Sequence, residues 1–216
     1  MPSLADIQAL YTRRKASYVR YVQAFGHRQG LAAVIAASDG LTAGLRALDA
    51  GCGSGLSILA LDDALRRRGM AYHSIQGFDV TSAMLDRCRS TLEAHALAGI
   101  ELMHADVLHL AEQLPQSWTG YDLIICASML EYISPESLAD SLASLADRLA
   151  ADGRLLAVIT RKSFYPTRWL WHCAGYTRGE LLAACERANL RHVRFRSYPP
   201  AFAWLNVGSH VIEAGR

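Results

Sequence analysis

The spacing of apolar and polar positions changes character at Leu45. Before it, residues 5–21 carry apolar or aromatic side chains at Ile7, Leu10, Tyr11, Tyr18 and Tyr21. That spacing predicts an amphipathic helix. Residues 30–37 predict a second helix, and Ser38-Asp39-Gly40 marks a turn. From Leu45 onward, short apolar runs alternate with helical stretches. Residues 45–50 predict a first strand ending in glycines, and 54–68 a helix stopped at Gly69. A second strand covers 73–79, and a helix covers 81–96 with Thr81 or Ser82 as its N-cap. Residues 100–104 and 121–127 predict the third and fourth strands. Residues 135–150 predict a helix with Ser134 as N-cap and Pro135 at its first position. A fifth strand covers 153–160. Thr177 and Glu180 have capping-box spacing and open a helix over 177–188. Two further strands, 191–198 and 207–214, succeed one another with no helix between them.

This alternation predicts an α/β fold: a doubly wound, mostly parallel seven-stranded sheet covered on both faces, with an antiparallel pair at one edge. One domain spans 1–216, in which residues 1–44 form a helical cap and 45–216 the core. Composition agrees with a packed globular chain, since 51% of its 216 residues are hydrophobic and 19% charged. A formal net charge of +2 gives no electrostatic footprint for nucleic acid, so no nucleic-acid partner is expected. The short basic clusters at 13–15, 66–68 and 191–196 read as solvated faces. Five cysteines without a CxxC pair suggest neither a disulfide framework nor a zinc site, and no metal is expected. No secretory signal pattern is visible, and the longest early apolar run, 31–37, falls far short of the roughly 20 residues that cross a bilayer. These features predict a cytoplasmic location. Oligomeric state is not legible.

In a doubly wound sheet, ligands bind beyond the carboxyl ends of the strands, where strand order reverses. The residues just after each strand are therefore the candidate chemistry. After the first strand comes Asp49-Ala50-Gly51-Cys52-Gly53-Ser54-Gly55, a glycine-rich turn that leads into a helix N-terminus with free N–H groups. The second strand ends in Asp79, placed to accept bonds from two ribose hydroxyls. The third ends in Ala105-Asp106, where a polar group can meet an adenine amino group. The fourth runs into Ser128-Met129-Leu130-Glu131-Tyr132.

Together these segments resemble class I S-adenosylmethionine-dependent methyltransferases, in particular the Rossmann-like, small-molecule type. LDAGCGSG resembles their glycine-rich first motif, GFDVTSAML the segment with the ribose acid, and MHADVLHL the adenine-contact segment. YDLIICASMLEYI resembles the fourth motif, and LADRLAADGRLLAVI the helix, turn and fifth strand. The resemblance runs from about Leu45 to Ile159, and more loosely to Ala214. It implies S-adenosyl-L-methionine as cofactor and S-adenosyl-L-homocysteine as product. It implies that Asp49 approaches the methionine portion, that Gly51, Cys52, Gly53 and Gly55 shape the turn beneath the cofactor, and that Asp79 binds ribose beside Val80 and Met84. Asp106 and Val107 would flank adenine, and Ala127 and Ser128 would line the methionine side. Tyr11 or Tyr18 would cover the cofactor. One departure stands out: Asp49 and Asp79 are 30 positions apart, longer than the family pattern, with the extra residues in the helix and the 66–72 turn. The segment after the fourth strand also lacks the D/N-P-P-Y/F sequence of nucleobase and glutamine N-methylation, and no Pro-Cys marks Cys126 as a nucleophile.

Transfer from a sulfonium is an in-line displacement that needs alignment and exclusion of water. A general base matters only when the acceptor must lose a proton. Glu131, Tyr132 and His172 are the candidates, with His104 behind them, and the sequence assigns none as catalytic. Phe164, Tyr165, Trp169 and Trp171 come after the fifth strand. They suit an apolar pocket or lid, a peripheral contact with a membrane interface, or a satellite core under a loop. The cluster at 198–204 is expected at the sheet edge. A small, partly hydrophobic acceptor fits this pattern. Two other classes remain: a non-catalytic cofactor-binding subunit that activates a partner protein, and a nicotinamide dehydrogenase. The GxGxG spacing disfavours the dehydrogenase.

Overall fold

Strand β1 (Leu45–Ala50) sits near the middle of one seven-stranded sheet in the computed structural model, which describes Asp6, Gln8, Ala9 and residues 26–216. With β2 (Tyr72–Asp79), β3 (Glu101–His104), β4 (Tyr121–Ala127), β5 (Leu149–Thr160), β6 (Arg191–Arg196) and β7 (Ser209–Gly215), the sheet order is β3-β2-β1-β4-β5-β7-β6. Strands β1 to β5 pair in parallel, whereas β7 runs antiparallel to both β5 and β6. The chain winds outward from β1 to β3 and returns to β4, so strand order reverses between β1 and β4. The fold class expected from the sequence is the one observed.

Adjacent residues of a strand point to opposite faces, and the core divides accordingly. Ala47, Ile75, Leu123 and Leu156 pack on one face against Leu31 and Ile35 of α1 (His27–Ala36), Ile58, Leu61 and Leu65 of α2 (Leu56–Arg67) and Leu85 of α3 (Ser82–Ala94). Leu48, Phe78, Ile124 and Leu155 pack on the other face. There they meet Leu110 at the start of the short α4 (Leu110–Gln113), Leu142 and Leu145 of α5 (Leu138–Ala146), and Leu181 and Cys185 of the Arg178–Arg187 helix. All five cysteines are buried thiols, and Cys126 is fully buried in the sheet.

Beyond β5 lies α6 (Tyr165–Trp171), a single short helix in the aromatic segment to which the sequence assigned no element. Helix α7 (Arg178–Arg187) comes next and opens on Thr177, whose side chain accepts from Glu180 N–H while the Glu180 carboxylate accepts from Thr177 N–H. The expected capping box is thus formed. A last turn, α8 (Leu205–Gly208), leads into β7.

The helix expected over 135–150 is corrected at both ends. It starts at Leu138, with Ser137 rather than Ser134 at the N-cap. The Ser134 hydroxyl instead accepts from Ser137 N–H at 3.3 Å, which closes a turn. It ends at Ala146, and β5 begins at Leu149, four residues before the expected start. Arg148 forces that end. Its buried guanidinium donates to the carbonyls of Leu110, Pro115 and Trp118, while its own carbonyl accepts from Tyr121 N–H. Leu149 is thereby set opposite Tyr121 in the sheet. Thr81 does stand at the N-cap of α3, but its side chain makes no capping bond. The helix expected over 5–21 lies almost wholly outside the described residues. Among the described residues no helix is long and apolar enough to cross a membrane.

Candidate active site

Beyond the carboxyl ends of β1 and β2, two backbone segments are tied into one unit. Gly51 N–H and Cys52 N–H both donate to the Phe78 carbonyl at 2.9 Å. Gly51 has φ 71°, a conformation open to glycine without a steric cost. A Cβ there would also come within 2.7 Å of the Met129 side chain. Two residues on, Gly53 N–H donates to Asp79 Oδ2 at 2.9 Å, and Thr81 N–H donates to Asp79 Oδ1 at 2.8 Å. Burial raises the Asp79 pKa, and these two N–H groups act against the rise. Each carboxylate oxygen has two acceptor directions, so one direction per oxygen remains for a ligand.

A cleft of about 710 Å³ opens above this unit. Its walls are Gly51, Gly53, Phe78, Asp79, Val80, Thr81 and Met84 on one side, and Ala105, Asp106 and Val107 on a second. Ala127, Ser128, Met129, Tyr132 and Ile133 close the third. Asp106 is held by its own turn, since its Oδ1 accepts from Leu108 N–H at 3.0 Å. A second cleft of about 490 Å³ shares Gly51, Gly53, Ala127 and Ser128 with the first. It continues past Cys52, Ser54, Leu56 and Ser57 to His27 and Leu31 of α1, Val158 of β5 and Tyr198. Burial lowers the His27 pKa, which favours the neutral imidazole.

Nine of the sequence candidates therefore line the first cleft: Gly51, Gly53, Asp79, Val80, Met84, Asp106, Val107, Ala127 and Ser128, and Tyr132 lines it as well. Cys52 lines the second. Gly55 faces away from both, toward Cys88 and Thr91 of α3. Asp49 lies beneath the glycine turn, 2% exposed, and neither of its oxygens makes a hydrogen bond. Burial pushes its pKa up to about 7, against the influence of Ser57 and with that of the Asp79 charge. Glu131 is also buried and lines neither cleft; its Oε1 accepts from Thr160 Oγ1 at 2.9 Å, and burial raises its pKa to about 7. His172 is exposed at the end of α6 with φ 53°, away from both clefts. His104 points to the Val80 carbonyl, 2.9 Å from its Nε2. Tyr11 and Tyr18 lie outside the described residues. Among the described residues, Gln8 Nε2 donates to the Val80 carbonyl at 2.8 Å, which puts the Gln8 side chain at the rim of the first cleft.

Sequence reasoning missed His27, Thr81, Phe78, Ser57 and Tyr198. Phe78 and Thr81 flank Asp79 and were within reach of the strand-end argument. His27 and Tyr198 are 171 positions apart in the chain, and no local signal joins them. Tyr198 is set by Asn206, whose Oδ1 accepts from Tyr198 N–H and whose Nδ2 donates to the Tyr198 carbonyl.

A glycine turn joined to a strand-end acid, at the reversal of a doubly wound sheet, defines an α/β protein that binds a nucleoside-type cofactor. Residues 47–153 match the methyltransferase domain family. A magnesium protoporphyrin IX methyltransferase from Synechocystis PCC 6803, solved with bound S-adenosylmethionine, superposes with a TM-score of 0.67 at 19% identity, over 98% of this chain and 97% of that one. Mitomycin 7-O-methyltransferase superposes with a TM-score of 0.72 at 20% identity, over 100% of this chain and 61% of that one. The carboxy-S-adenosyl-L-methionine synthase of Methylococcus capsulatus is 36% identical over 63 residues, 29% of this chain and a quarter of that protein's length. Residues 47–153, just under half of the chain, are a methyltransferase domain, and the whole chain shares the fold of S-adenosylmethionine-dependent methyltransferases, whose cofactor is S-adenosylmethionine.

Proposed function

We propose that this protein transfers a methyl group from S-adenosylmethionine to a small, partly hydrophobic acceptor by in-line displacement. The observation that carries this reading is the meeting of two clefts at Gly51, Gly53, Ala127 and Ser128. One cleft suits the cofactor and the other the acceptor, so the reacting atoms would meet at the shared wall.

The residues present fit the cofactor. The free acceptor directions of Asp79 suit two ribose hydroxyls. Val80, Met84 and Val107 offer an apolar slot for a flat base, and Asp106 stands at its edge. Gly51 and Gly53 let the backbone approach closely, and Ala127 and Ser128 bound the methionine side. Asp49 lies beneath, where the ionised form of its buried carboxyl adds negative potential under the turn. The cofactor supplies an activated methyl group on a sulfonium, so the protein's part is to align the acceptor and exclude water.

The second cleft mixes apolar walls, Leu31, Leu56 and Val158, with His27 and Tyr198. That lining suits a partly hydrophobic acceptor with one polar end. A neutral His27 can take the proton of a hydroxyl acceptor. Tyr132 faces the first cleft and is the alternative proton acceptor, whereas Glu131 and His172 reach neither cleft.

Calorimetric titration tests the reading. S-adenosylmethionine and S-adenosylhomocysteine should bind at micromolar concentration, NADH should not, and Asp79→Ala should abolish the signal. Undiminished binding to the variant would overturn the cofactor placement.

A further inference from the structure

Two short helices at the cleft end of the sheet, with the residue that precedes the second, carry large apolar side chains that are half or more exposed. Tyr165 and Trp169 of α6 are 72% and 80% exposed; Trp204, just before α8, and Val207 within it are 53% and 63% exposed. The two helices are neighbours. The Phe164 ring packs against Gly208, and Arg161 N–H donates to the Gly208 carbonyl. Both stand at the carboxyl end of β5, because Thr160 pairs with Ser209. The segment that carries Trp204 and Val207 also walls the second cleft: Tyr198 lines it, and Tyr198 and Leu205 pack on Gly30 of α1.

The charge around this face is mostly positive. Residues 161–179 contain Arg161, Lys162, Arg168 and Arg178 and no Asp or Glu. Lys162 pairs with Glu180. The other three are held without a carboxylate partner among the described residues. Arg161 donates to the Ser209 carbonyl, Arg168 to the Lys162 carbonyl, and Arg178 stacks over the Phe195 ring at 4.3 Å. Arg168 also lies over the Tyr165 ring at 5.4 Å. These three guanidinium groups therefore have no ion-pair partner among the described residues. Exposed Trp and Tyr mixed with such guanidinium groups match the headgroup level of an anionic bilayer, where amphipathic rings settle and basic side chains meet lipid phosphates.

The geometry points to an anionic lipid surface as the occupant of this face, seated on Tyr165, Trp169, Trp204 and Val207. Seating there turns the mouth of the second cleft toward the bilayer. On the methyl-transfer reading, on which this last step rests, the acceptor is an apolar molecule that reaches His27 and Tyr198 from the membrane.

Co-sedimentation with vesicles tests the surface without any acceptor. The full chain should bind vesicles of phosphatidylcholine with about one-third phosphatidylglycerol, bind phosphatidylcholine alone more weakly, and release in high salt. Trp169→Ser with Tyr165→Ser should weaken binding by roughly tenfold or more, while calorimetry shows unchanged affinity for S-adenosylhomocysteine. Wild-type protein that binds S-adenosylhomocysteine but ignores anionic vesicles would overturn the proposal, and so would undiminished sedimentation of the double variant. Self-association that the double variant abolishes, without vesicle binding, would assign the face to a second copy and also overturn it. Failure of the methyl-transfer reading shows separately, as absent cofactor binding with vesicle binding intact.

Discussion

The backbone N–H of Gly53 donates to Asp79 Oδ2 at 2.9 Å, so the turn after β1 and the acid after β2 hold each other in place. Asp79 therefore shapes the cleft as well as presenting a carboxylate to it. Charge-assisted hydrogen bonds contribute about 1.5–3 kcal/mol each. Asp79→Ala should weaken S-adenosylhomocysteine binding roughly 100-fold or more. Asp79→Asn retains a single acceptor oxygen and should fall between the two, as read by calorimetry on protein whose circular dichroism is unchanged.

Gly51 and Gly44 have nearly the same backbone, φ 71° and 70°, but different surroundings. A Cβ on Gly51 would lie 2.7 Å from Met129, whereas one on Gly44 would meet nothing within 4 Å. Gly44→Ala should cost only the left-handed strain, about 1–2 kcal/mol. Gly51→Ala should add about 1–3 kcal/mol of crowding and also lose cofactor affinity, because Met129 lines the cleft. Equal loss of melting temperature in the two variants, with cofactor binding kept in both, would refute this.

Glu131 makes stability depend on pH. Burial raises its pKa from 4.5 to about 7, so between those values the folded state holds a proton that the unfolded state has released. Stability from this group then falls as pH rises from 4.5 to about 7, and is level above that. Glu131→Gln keeps an acceptor for Thr160 Oγ1 and removes the titration. The melting temperature of the variant, relative to wild type, should climb through that window and then plateau. A difference that is flat from pH 4 to 8 would contradict the burial argument.

Arg148 holds three carbonyls, those of Leu110, Pro115 and Trp118, and is 8% exposed. Truncation leaves the Leu110 carbonyl to Leu114 N–H and the Pro115 carbonyl to Trp118 N–H, and strips the buried Trp118 carbonyl of its donor; such a group costs about 1–3 kcal/mol. Arg148→Ala should lower stability by about 1–3 kcal/mol in denaturant unfolding. Arg148→Lys should recover only part, since one ammonium lacks the planar fork. Cofactor affinity per folded molecule should stay the same in both variants.

Much of the fold is legible because it is written locally. The apolar runs of β1 and β4 stop at glycine or at a polar residue, and their bounds in the structure equal those expected. The capping box at Thr177 and Glu180 is a four-residue signal and forms as expected. The failure at 135–150 has the same origin. Its alanine- and leucine-rich pattern continues a helix through Ala150, and nothing local says that Leu149 pairs with Tyr121 or that Arg148 is needed beneath α4 and the loop after it.

The sequence by itself determined the alternation of strands and helices, the two-faced core, and the glycine turn and acid that stand in the first cleft. These depend on periodicity and on residues at strand ends, where chain position already implies spatial position. Tertiary structure alone decided which titratable groups face a cleft. His27 and Tyr198 meet because α1 and the segment after β6 fold over the same strand ends. Glu131, one residue from Tyr132, turns into the interior toward Thr160 while Tyr132 lines the first cleft. A side chain's direction and burial depend on what packs around it, and those partners are distant in the chain.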